Sequence, residues 1–233
     1  MTRRLAVIPA RGGSKRIPNK NVKNFCGQPM IAYILNTARE SGLFHTIHVS
    51  TDSIAIKECV EKLGYRVDFL RPKSLADDHT PIMPVLKYVA SNYKEEGGKQ
   101  FDEVWLLMAC SPLITSNDLL GASKIFDSSK KLSPLLAITE YSAPIEWAFT
   151  LEENNVLVPV QKGMFAVRSQ DIRKKYFDAG AFAVFPSSIV LGSTGAGSDN
   201  GFVGYVLPKG HGIDIDDESD WRLAEALYRI NSR

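Results

Sequence analysis

Short apolar runs alternate with segments of helical periodicity along most of the chain. Short runs rich in Val, Ile, Leu and aromatic residues predict strands at residues 5–10, 46–50, 65–70, 103–109, 181–185 and 202–207. Between them, apolar residues three and four positions apart predict helices at residues 29–41, 53–63, 81–96, 116–126 and 218–230. This order predicts an α/β protein with a mostly parallel sheet and helices on both faces.

Cap residues support the ends of these helices. Gly42 and Gly64 follow the first two helices, where a glycine commonly takes the left-handed conformation that ends a helix. Thr115 or Ser116 can cap the helix that begins near residue 116. The run at residues 103–109 is the most apolar of the predicted strands, so we expect it inside the sheet.

The alternation of strand and helix lapses between residues 139 and 178. Two short strands are predicted there, at residues 146–151 and 156–160, and a Glu-Glu-Asn-Asn turn joins them as an antiparallel hairpin. We therefore expect one domain over residues 1–233, with a β-rich insertion at about 139–178.

The composition is typical of a globular protein and limits its partners. Of the 233 residues, 44% are hydrophobic and 23% are charged, which suits a chain that buries one core. The 28 basic and 26 acidic residues leave a net charge of +2, too balanced for a protein that coats nucleic acid or an anionic membrane. We expect neither as a partner.

Targeting signals and cysteine chemistry are not indicated. No apolar run approaches the roughly 20 residues that cross a bilayer, and no signal peptide precedes the first strand, so we expect a cytoplasmic protein. Cys26, Cys59 and Cys110 have no C-x-x-C spacing, which favours reduced thiols over disulfides or a zinc site. No histidine has a spacing that pairs it with Cys110, so we expect this thiol to fill space in the packed interior rather than to act as a catalytic nucleophile.

The first strand leads into a loop, residues 11–21, that is both glycine-rich and cationic. Free amides at Gly12 and Gly13, beside four cationic side chains, can bind a polyphosphate. The spacing fits neither a Walker loop nor a dinucleotide fingerprint. Lys20 can reach a phosphate oxygen, and Asn21 can read a neighbouring polar group. The alternative is a basic surface loop on an ordinary α/β protein.

Near the end of the chain, Asp214 and Asp216 stand two positions apart in an extended segment. Their carboxylates therefore project from the same face. Two neighbouring carboxylates can bind Mg²⁺, which fills its other positions with water and substrate phosphate. The alternative is a solvated acidic turn in which Asp216 or Asp217 caps the last helix.

Two further polar residues follow predicted strands. Asp52 can reach a ribose or a metal-bound water, although capping of the next helix is the commoner role for such an aspartate. Arg71 can contact phosphate or sugar, or form a surface ion pair.

Taken together, the motifs I-P-A-R-G-G-S-K-R-I-P-N-K-N, S-T-D, R-P, S-P and D-I-D-D-E-S-D-W resemble the cytidylyltransferases that activate nine-carbon sialic-type sugars. The resemblance extends over nearly the whole chain, and R-S-Q-D and Y-F-D-A-G resemble the branch that acts on pseudaminic acid. It implies a three-layer α/β/α, Rossmann-like nucleotidyltransferase fold. It also implies transfer of CMP from CTP to the anomeric hydroxyl of a nonulosonic acid, with Mg²⁺ assisting and pyrophosphate leaving.

The resemblance implies roles for individual residues. The expected catalytic residues are Arg11, Lys20, Asp214 and Asp216, of which the two aspartates would hold the metal and Asp216 would help to deprotonate the sugar hydroxyl. The nucleotide would bind to Ala10, Arg11, Gly12, Gly13, Ser14, Lys20, Asn21, Arg71 and Thr80. The sugar would bind to Arg168, Gln170 and Asp178, with the guanidinium of Arg168 on its carboxylate.

In the family the insertion crosses to a neighbouring subunit. The resemblance therefore implies a homodimer with Trp147, Phe149 and Phe165 at its interface, whereas the alternative is a hairpin folded onto its own sheet. The alternative substrates are N-acetylneuraminate, legionaminate and the eight-carbon 3-deoxy-octulosonate. A silent nucleotide-binding module on the same fold is the alternative to an enzyme.

Overall fold

The computed structural model describes residues 2–129, 132–195 and 201–231. Its strands are β1 (Arg4–Pro9), β2 (Asn24–Phe25), β3 (Gln28–Pro29), β4 (Thr46–Ser50), β5 (Glu103–Leu107), β6 (Leu135–Glu140), β7 (Phe149–Leu151), β8 (Leu157–Pro159), β9 (Tyr176–Pro186) and β10 (Val203–Val206). Its α-helices are α1 (Met30–Glu40), α2 (Ile54–Lys62), α3 (Ile82–Gly97), α4 (Ser116–Ser128), α5 (Ser187–Gly192) and α6 (Glu218–Asn231). None of these helices is long and apolar enough to span a bilayer.

Within the described residues, the main sheet has six strands in the order β10-β6-β9-β5-β1-β4. Strands β4, β1 and β5 are parallel, β6 and β10 are parallel, and β9 is antiparallel to both of its neighbours. The predicted mostly parallel sheet is therefore confirmed, and β5 lies inside it as expected.

Helices cover both faces of this sheet. One apolar cluster packs α1, α2 and α4 against the sheet, and a second cluster packs α3 and α5 against the opposite face. Along β1, Ala6 and Ile8 belong to the first cluster and Leu5 and Val7 to the second, because successive side chains of a strand point to opposite faces. The predicted three-layer α/β/α architecture is confirmed.

The predicted cap residues act at the helix ends. Gly42 and Gly64 have φ angles of 63° and 84°, in the left-handed region where glycine is favoured. At α2 the cap is Ser53 rather than the predicted Asp52, because the Ser53 side chain accepts a hydrogen bond from the backbone of that helix. At the start of α4, Thr115 and Asp118 form a capping box in which each side chain accepts the other residue's backbone N–H.

The segment at residues 65–70 is not a strand, and that prediction was wrong. Tyr65, Val67 and Phe69 are less exposed than the residues between them, as the alternation indicated. However, β4 is an edge strand, and the described residues of this segment form no ladder with it. Alternating polarity reports which side chains are buried and carries no information on whether a neighbouring backbone is available for pairing.

Three other elements differ from the sequence pattern in extent. Strand β6 follows a polar run and was not predicted. Strand β9 is longer than the predicted residues 181–185 because it pairs with both β5 and β6. In the insertion, β7 and β8 form the predicted antiparallel hairpin, but residues 145–147 form a 3₁₀ turn where the first strand was expected to begin.

Candidate active site

A polar cleft of about 330 Å³ lies beyond the carboxyl ends of β1 and β5. Ligands of open α/β sheets bind at this edge. The cleft walls include eight of the residues predicted from the sequence: Arg11, Ser14, Lys20, Asn21, Arg71, Thr80, Asp214 and Asp216. The basic loop and the acidic pair therefore converge, although they lie at opposite ends of the chain.

Apolar packing holds these two segments together beneath the cleft. Ile17 of the basic loop and Ile215 are both buried in the same cluster. Because Ile215 points inward, its neighbours Asp214 and Asp216 point outward, and both line the cleft. The Lys20 ammonium also donates a hydrogen bond to the Ile215 carbonyl at 2.5 Å, which connects the loop directly to the acidic segment.

The peptide between Arg11 and Gly12 is hydrogen-bonded at both of its polar atoms. The Asn21 amide donates to the Arg11 carbonyl at 3.1 Å, and the Gly12 N–H donates to the Asp52 carboxylate at 3.0 Å. The expectation of a free amide at Gly12 was therefore wrong, since a carboxylate already accepts that N–H. Ser53 caps α2, so the expected capping role of Asp52 was also wrong.

Three predicted nucleotide contacts, Ala10, Gly12 and Gly13, lie outside the cleft lining. Ala10 is fully buried, and its N–H donates to the Ser50 carbonyl at 2.9 Å. Gly13 is exposed, and a Cβ at this position would have no neighbour within 4 Å in the described structure. Their contacts with a nucleotide stay predictions.

Cys110 lies in the cleft wall just after β5. Its thiol donates a hydrogen bond to the side-chain oxygen of Asn21, with 3.3 Å between the sulfur and the oxygen. Burial raises the pKa of Cys110 to about 11, so the thiol keeps its proton at neutral pH. A protonated thiol is a poor nucleophile, in agreement with the expectation from the sequence.

Arg71 is buried, with 7% of its surface exposed, and it organises the loop that follows it. Its guanidinium donates to the Ser50 carbonyl at 2.6 Å and to the Leu75 carbonyl at 3.3 Å, while its Nε has no partner among the residues described. The alternative of a solvated surface ion pair is excluded by this burial.

Asp78 belongs to the cleft but was not indicated by the sequence. Its carboxylate pairs with both Lys15 and Arg11, and hydrogen bonds from these two residues lower the pKa of Asp78 to about 2. The Asp77 carboxylate fixes the turn by accepting the N–H and the hydroxyl of Thr80, at 2.7 and 2.9 Å. An aspartate in a polar loop carries no sequence signal for a partner more than 60 positions away.

The two members of the acidic pair have different surroundings. Asp216 pairs with Arg16 at 2.7 Å, whereas the Asp214 carboxylate has neither a hydrogen bond nor an ion pair within the described part of the chain. Partial burial and then the charge of Asp216 raise the pKa of Asp214. Asp217 caps α6 by accepting two backbone N–H groups, which leaves Asp216 for the cleft.

This arrangement fits a divalent cation. A cation would offset the repulsion between the two carboxylates, and Mg²⁺ needs only one or two protein carboxylates. No group of three or more metal-binding side chains occurs among the described residues. Gly180 leaves room for the acidic pair, because a Cβ there would lie 3.2 Å from the carboxylate of Asp214.

The three residues predicted for the sugar are not brought together within one chain. Asp178 is near the acidic pair, since its charge contributes to the raised pKa of Asp214. Arg168 is exposed and pairs with a neighbouring aspartate of the insertion at 2.9 Å. Gln170 lines a separate pocket at the base of the insertion. The roles of these three residues in sugar binding stay predictions.

The fold, together with a basic loop and paired carboxylates at one cleft, defines a nucleotidyltransferase. A family model described as cytidylyltransferase matches residues 5–135. The chain belongs to this cytidylyltransferase family and is an enzyme of the nucleotidyltransferase class.

Its relatives include two proteins of Campylobacter jejuni. A pseudaminic acid cytidylyltransferase is 38% identical over 97% of both chains. A CMP-N,N'-diacetyllegionaminic acid synthase is 31% identical, over 98% of this chain and 96% of the relative. A solved CMP:2-keto-3-deoxy-manno-octonic acid synthetase complexed with CTP has a TM-score of 0.73 over 99% of this chain and 100% of that chain. At 15% sequence identity, this last match supports the fold alone.

Proposed function

We propose that the enzyme transfers CMP from CTP to the anomeric hydroxyl of pseudaminic acid, giving a CMP-sugar for cell-surface glycan synthesis. The observation that carries the proposal is the convergence of the basic loop and the acidic pair on one cleft. The full-length similarity to a pseudaminic acid cytidylyltransferase supports the choice of sugar. We expect the reaction in the cytoplasm, where CTP is made.

The residues of the cleft suggest how the reaction is catalysed. Arg11 and Lys20 would bind the triphosphate and offset the negative charge that develops on the α-phosphate and the leaving pyrophosphate. Ser14, Asn21, Arg71 and Thr80 would complete the nucleotide site, with Ala10, Gly12 and Gly13 nearby. The sugar oxygen bonds to the α-phosphorus as the bond to pyrophosphate breaks. Asp216 would accept the hydroxyl proton, directly or through water.

We also propose a Mg²⁺ ion held by Asp214 and Asp216. When bound, the ion supplies positive charge to the phosphate oxygens. The support comes from the Asp214 carboxylate, which has no partner in the described residues and stands beside a second carboxylate. We expect Asp214→Asn to raise the Mg²⁺ concentration needed for half-maximal activity, or to abolish turnover, while CTP binding without metal changes little.

A panel of acceptor sugars tests the proposed reaction. The purified protein is given CTP, Mg²⁺ and, in separate assays, pseudaminate, legionaminate, N-acetylneuraminate or 3-deoxy-octulosonate, and pyrophosphate release is measured. Preferred turnover of pseudaminate supports the proposal. Legionaminate is the next candidate because the second relative is a CMP-N,N'-diacetyllegionaminic acid synthase. Preferred turnover of legionaminate would contradict the choice of sugar. A protein that binds CTP but turns over no acid would be the silent module.

We further propose that the enzyme is a homodimer built by the insertion. Phe165 and Leu151 are 68% and 63% exposed, and an apolar patch of this kind marks a protein interface. The exposed apolar residues of the insertion include Phe149, Leu151, Val156, Leu157, Val158, Val160 and Phe165. Trp147, which was also predicted for the interface, donates its indole N–H to the Val167 carbonyl within the insertion. An insertion that crosses to the partner could carry Arg168 and Gln170 to the other cleft.

Complementation between two variants tests this arrangement. Lys20→Ala disables the cleft, and Arg168→Ala disables the insertion, so each homodimer should be nearly inactive. Co-expression should restore about a quarter of the wild-type activity, because half of the random dimers are mixed and each has one intact site. Absence of recovery in a confirmed mixed dimer would place each site within one chain, and a monomeric mass in solution would exclude the dimer.

A further inference from the structure

A continuous hydrogen-bonded connection crosses the floor of the cleft, from the end of β5 to the end of β4. It begins at the Cys110 thiol, which donates to the Asn21 oxygen. The Asn21 amide group donates to the carbonyl of Arg11, and the other side of the same peptide, the Gly12 N–H, donates to Asp52. The backbone that carries Arg11 is therefore held from both sides.

The orientation of the Asn21 amide decides whether this connection forms. Its NH₂ group must face the Arg11 carbonyl, so its oxygen must face Cys110. In the flipped orientation two oxygens would oppose each other, and the thiol would lose a good acceptor. Asn21 is buried, and a buried polar group without its partner is costly. The Arg11 carbonyl and a donor at position 110 therefore both favour the orientation that holds the loop.

We propose that Cys110 is a positioning residue: as a hydrogen-bond donor it orients Asn21, and through Asn21 it holds the Arg11–Gly12 peptide in the conformation that presents Arg11 to the triphosphate. This inference rests on the proposed nucleotide site. The thiol makes no bond to substrate in this role, and its chemistry is limited to donation of its proton in a hydrogen bond.

Three variants separate donation from packing. Cys110→Ser keeps a donor, Cys110→Val gives a slightly larger apolar side chain without a donor, and Cys59→Val makes the same change in α2, away from the cleft. We expect Cys110→Val to raise the KM for CTP about five- to tenfold and to lower kcat as well, because Arg11 also offsets the charge that develops during transfer. Cys110→Ser should stay within about twofold of the wild type, and Cys59→Val should match it. Melting temperatures check folding, and Cys110→Ala replaces the valine variant if that does not fold.

A double-mutant cycle then tests whether Cys110 acts through Asn21. In an Asn21→Ala background, Cys110→Val should cause no further rise in KM, because the connection is already broken. Three outcomes would each overturn the inference. The first is a full additional rise in KM when Cys110→Val is added to Asn21→Ala, and the second is an unchanged KM in Cys110→Val alone. The third is an equal rise in KM in the Cys110→Ser and Cys110→Val variants. Calorimetric titration with CTP gives the same comparison without sugar turnover. Failure of the wild type to bind CTP would overturn both the nucleotide site and this inference.

Discussion

At the scale of single residues, the Asp78 carboxylate offsets the positive charge of the cleft when no ligand is bound. Its carboxylate pairs with Arg11 and Lys15, two cations of the loop that we expect to bind phosphate. A triphosphate must replace this carboxylate before it can use both cations. The protein therefore contains an internal competitor for its proposed ligand.

Removal of this competitor should strengthen phosphate binding. In Asp78→Asn the two cations lose their carboxylate partner, and we expect the Kd for pyrophosphate to fall about three- to tenfold in calorimetric titrations at low salt. Glu61→Gln is the matched control. Glu61 pairs with Lys57 on the surface of α2, and its substitution removes one negative charge, as Asp78→Asn does. Weaker pyrophosphate binding in the Asp78 variant would show that the carboxylate helps to form the site.

Gly180 also matters for the cleft, because its backbone conformation leaves room for the Asp214 carboxylate. It has a φ of 60°, and a Cβ would lie 3.2 Å from the Asp214 carboxylate, so Gly180→Ala must strain the backbone and displace that carboxylate. We expect the Mg²⁺ concentration for half-maximal activity to rise about tenfold or more. Gly192→Ala, at a position with no near neighbour and no positive φ, should leave it unchanged. Equal metal requirements in both variants would contradict the proposed role of Asp214.

At the scale of elements, the start of α4 is connected to the segment that leads to the acidic pair. The Asp118 carboxylate belongs to the capping box with Thr115 and is also 2.9 Å from the His211 ring and 3.2 Å from the Tyr205 hydroxyl. One buried carboxylate thus joins α4 to β10 and to the turn before Asp214. The cap should therefore contribute more to stability than an ordinary helix cap.

A comparison of two helix caps tests this expectation. Thr115→Val removes a hydroxyl from a reciprocal and partly buried capping box, and we expect a loss of about 1–2 kcal/mol in the free energy of unfolding. Ser53→Ala removes a single cap bond of 3.4 Å at the start of α2 and should cost about 0.5–1 kcal/mol. Urea denaturation measures both. An equal or smaller loss for Thr115→Val would show that the capping box adds nothing.

At the scale of the whole molecule, one buried histidine makes stability depend on pH. His48 of β4 stacks on Phe69 at 4.3 Å, its Nδ1 is 3.1 Å from the Tyr93 hydroxyl, and its Nε2 has no partner in the described residues. Asp68 and Arg71 are the nearby charges. Burial lowers the pKa of His48 to about 4, so the ring is neutral in the folded protein at neutral pH.

Unfolding exposes this ring to water, where its pKa returns to about 6.5. Between pH 6.5 and 4 the unfolded chain therefore binds more protons, and the free energy of unfolding should fall as the pH falls, by up to about 3 kcal/mol. Urea denaturation from pH 7.5 to 4.5 measures this slope. His48→Phe should lose that part of the slope, whereas His79→Phe, at an exposed position, should keep it. The same slope in all three proteins would contradict the prediction.

The sequence by itself determined much of the architecture. The periodicity of apolar residues predicted the α/β/α layers and most helices, because each strand or helix must bury its own apolar face. Local cap signals at Gly42, Gly64 and Thr115 act within a few residues of the helix they end, so they also could be predicted. The basic loop and the acidic pair were recognisable because residue type and spacing alone define their chemistry.

Only the tertiary structure decided how distant polar groups pair. The amide of Gly12 is used by Asp52, Asp78 neutralises Arg11, and Cys110 contacts Asn21. The separation of Arg168 from the cleft and the missing ladder at residues 65–70 also depend on which neighbours the fold supplies. A hydrogen bond or ion pair needs two groups within about 3–4 Å, and residues far apart in the sequence reach that distance only through packing of the whole sheet.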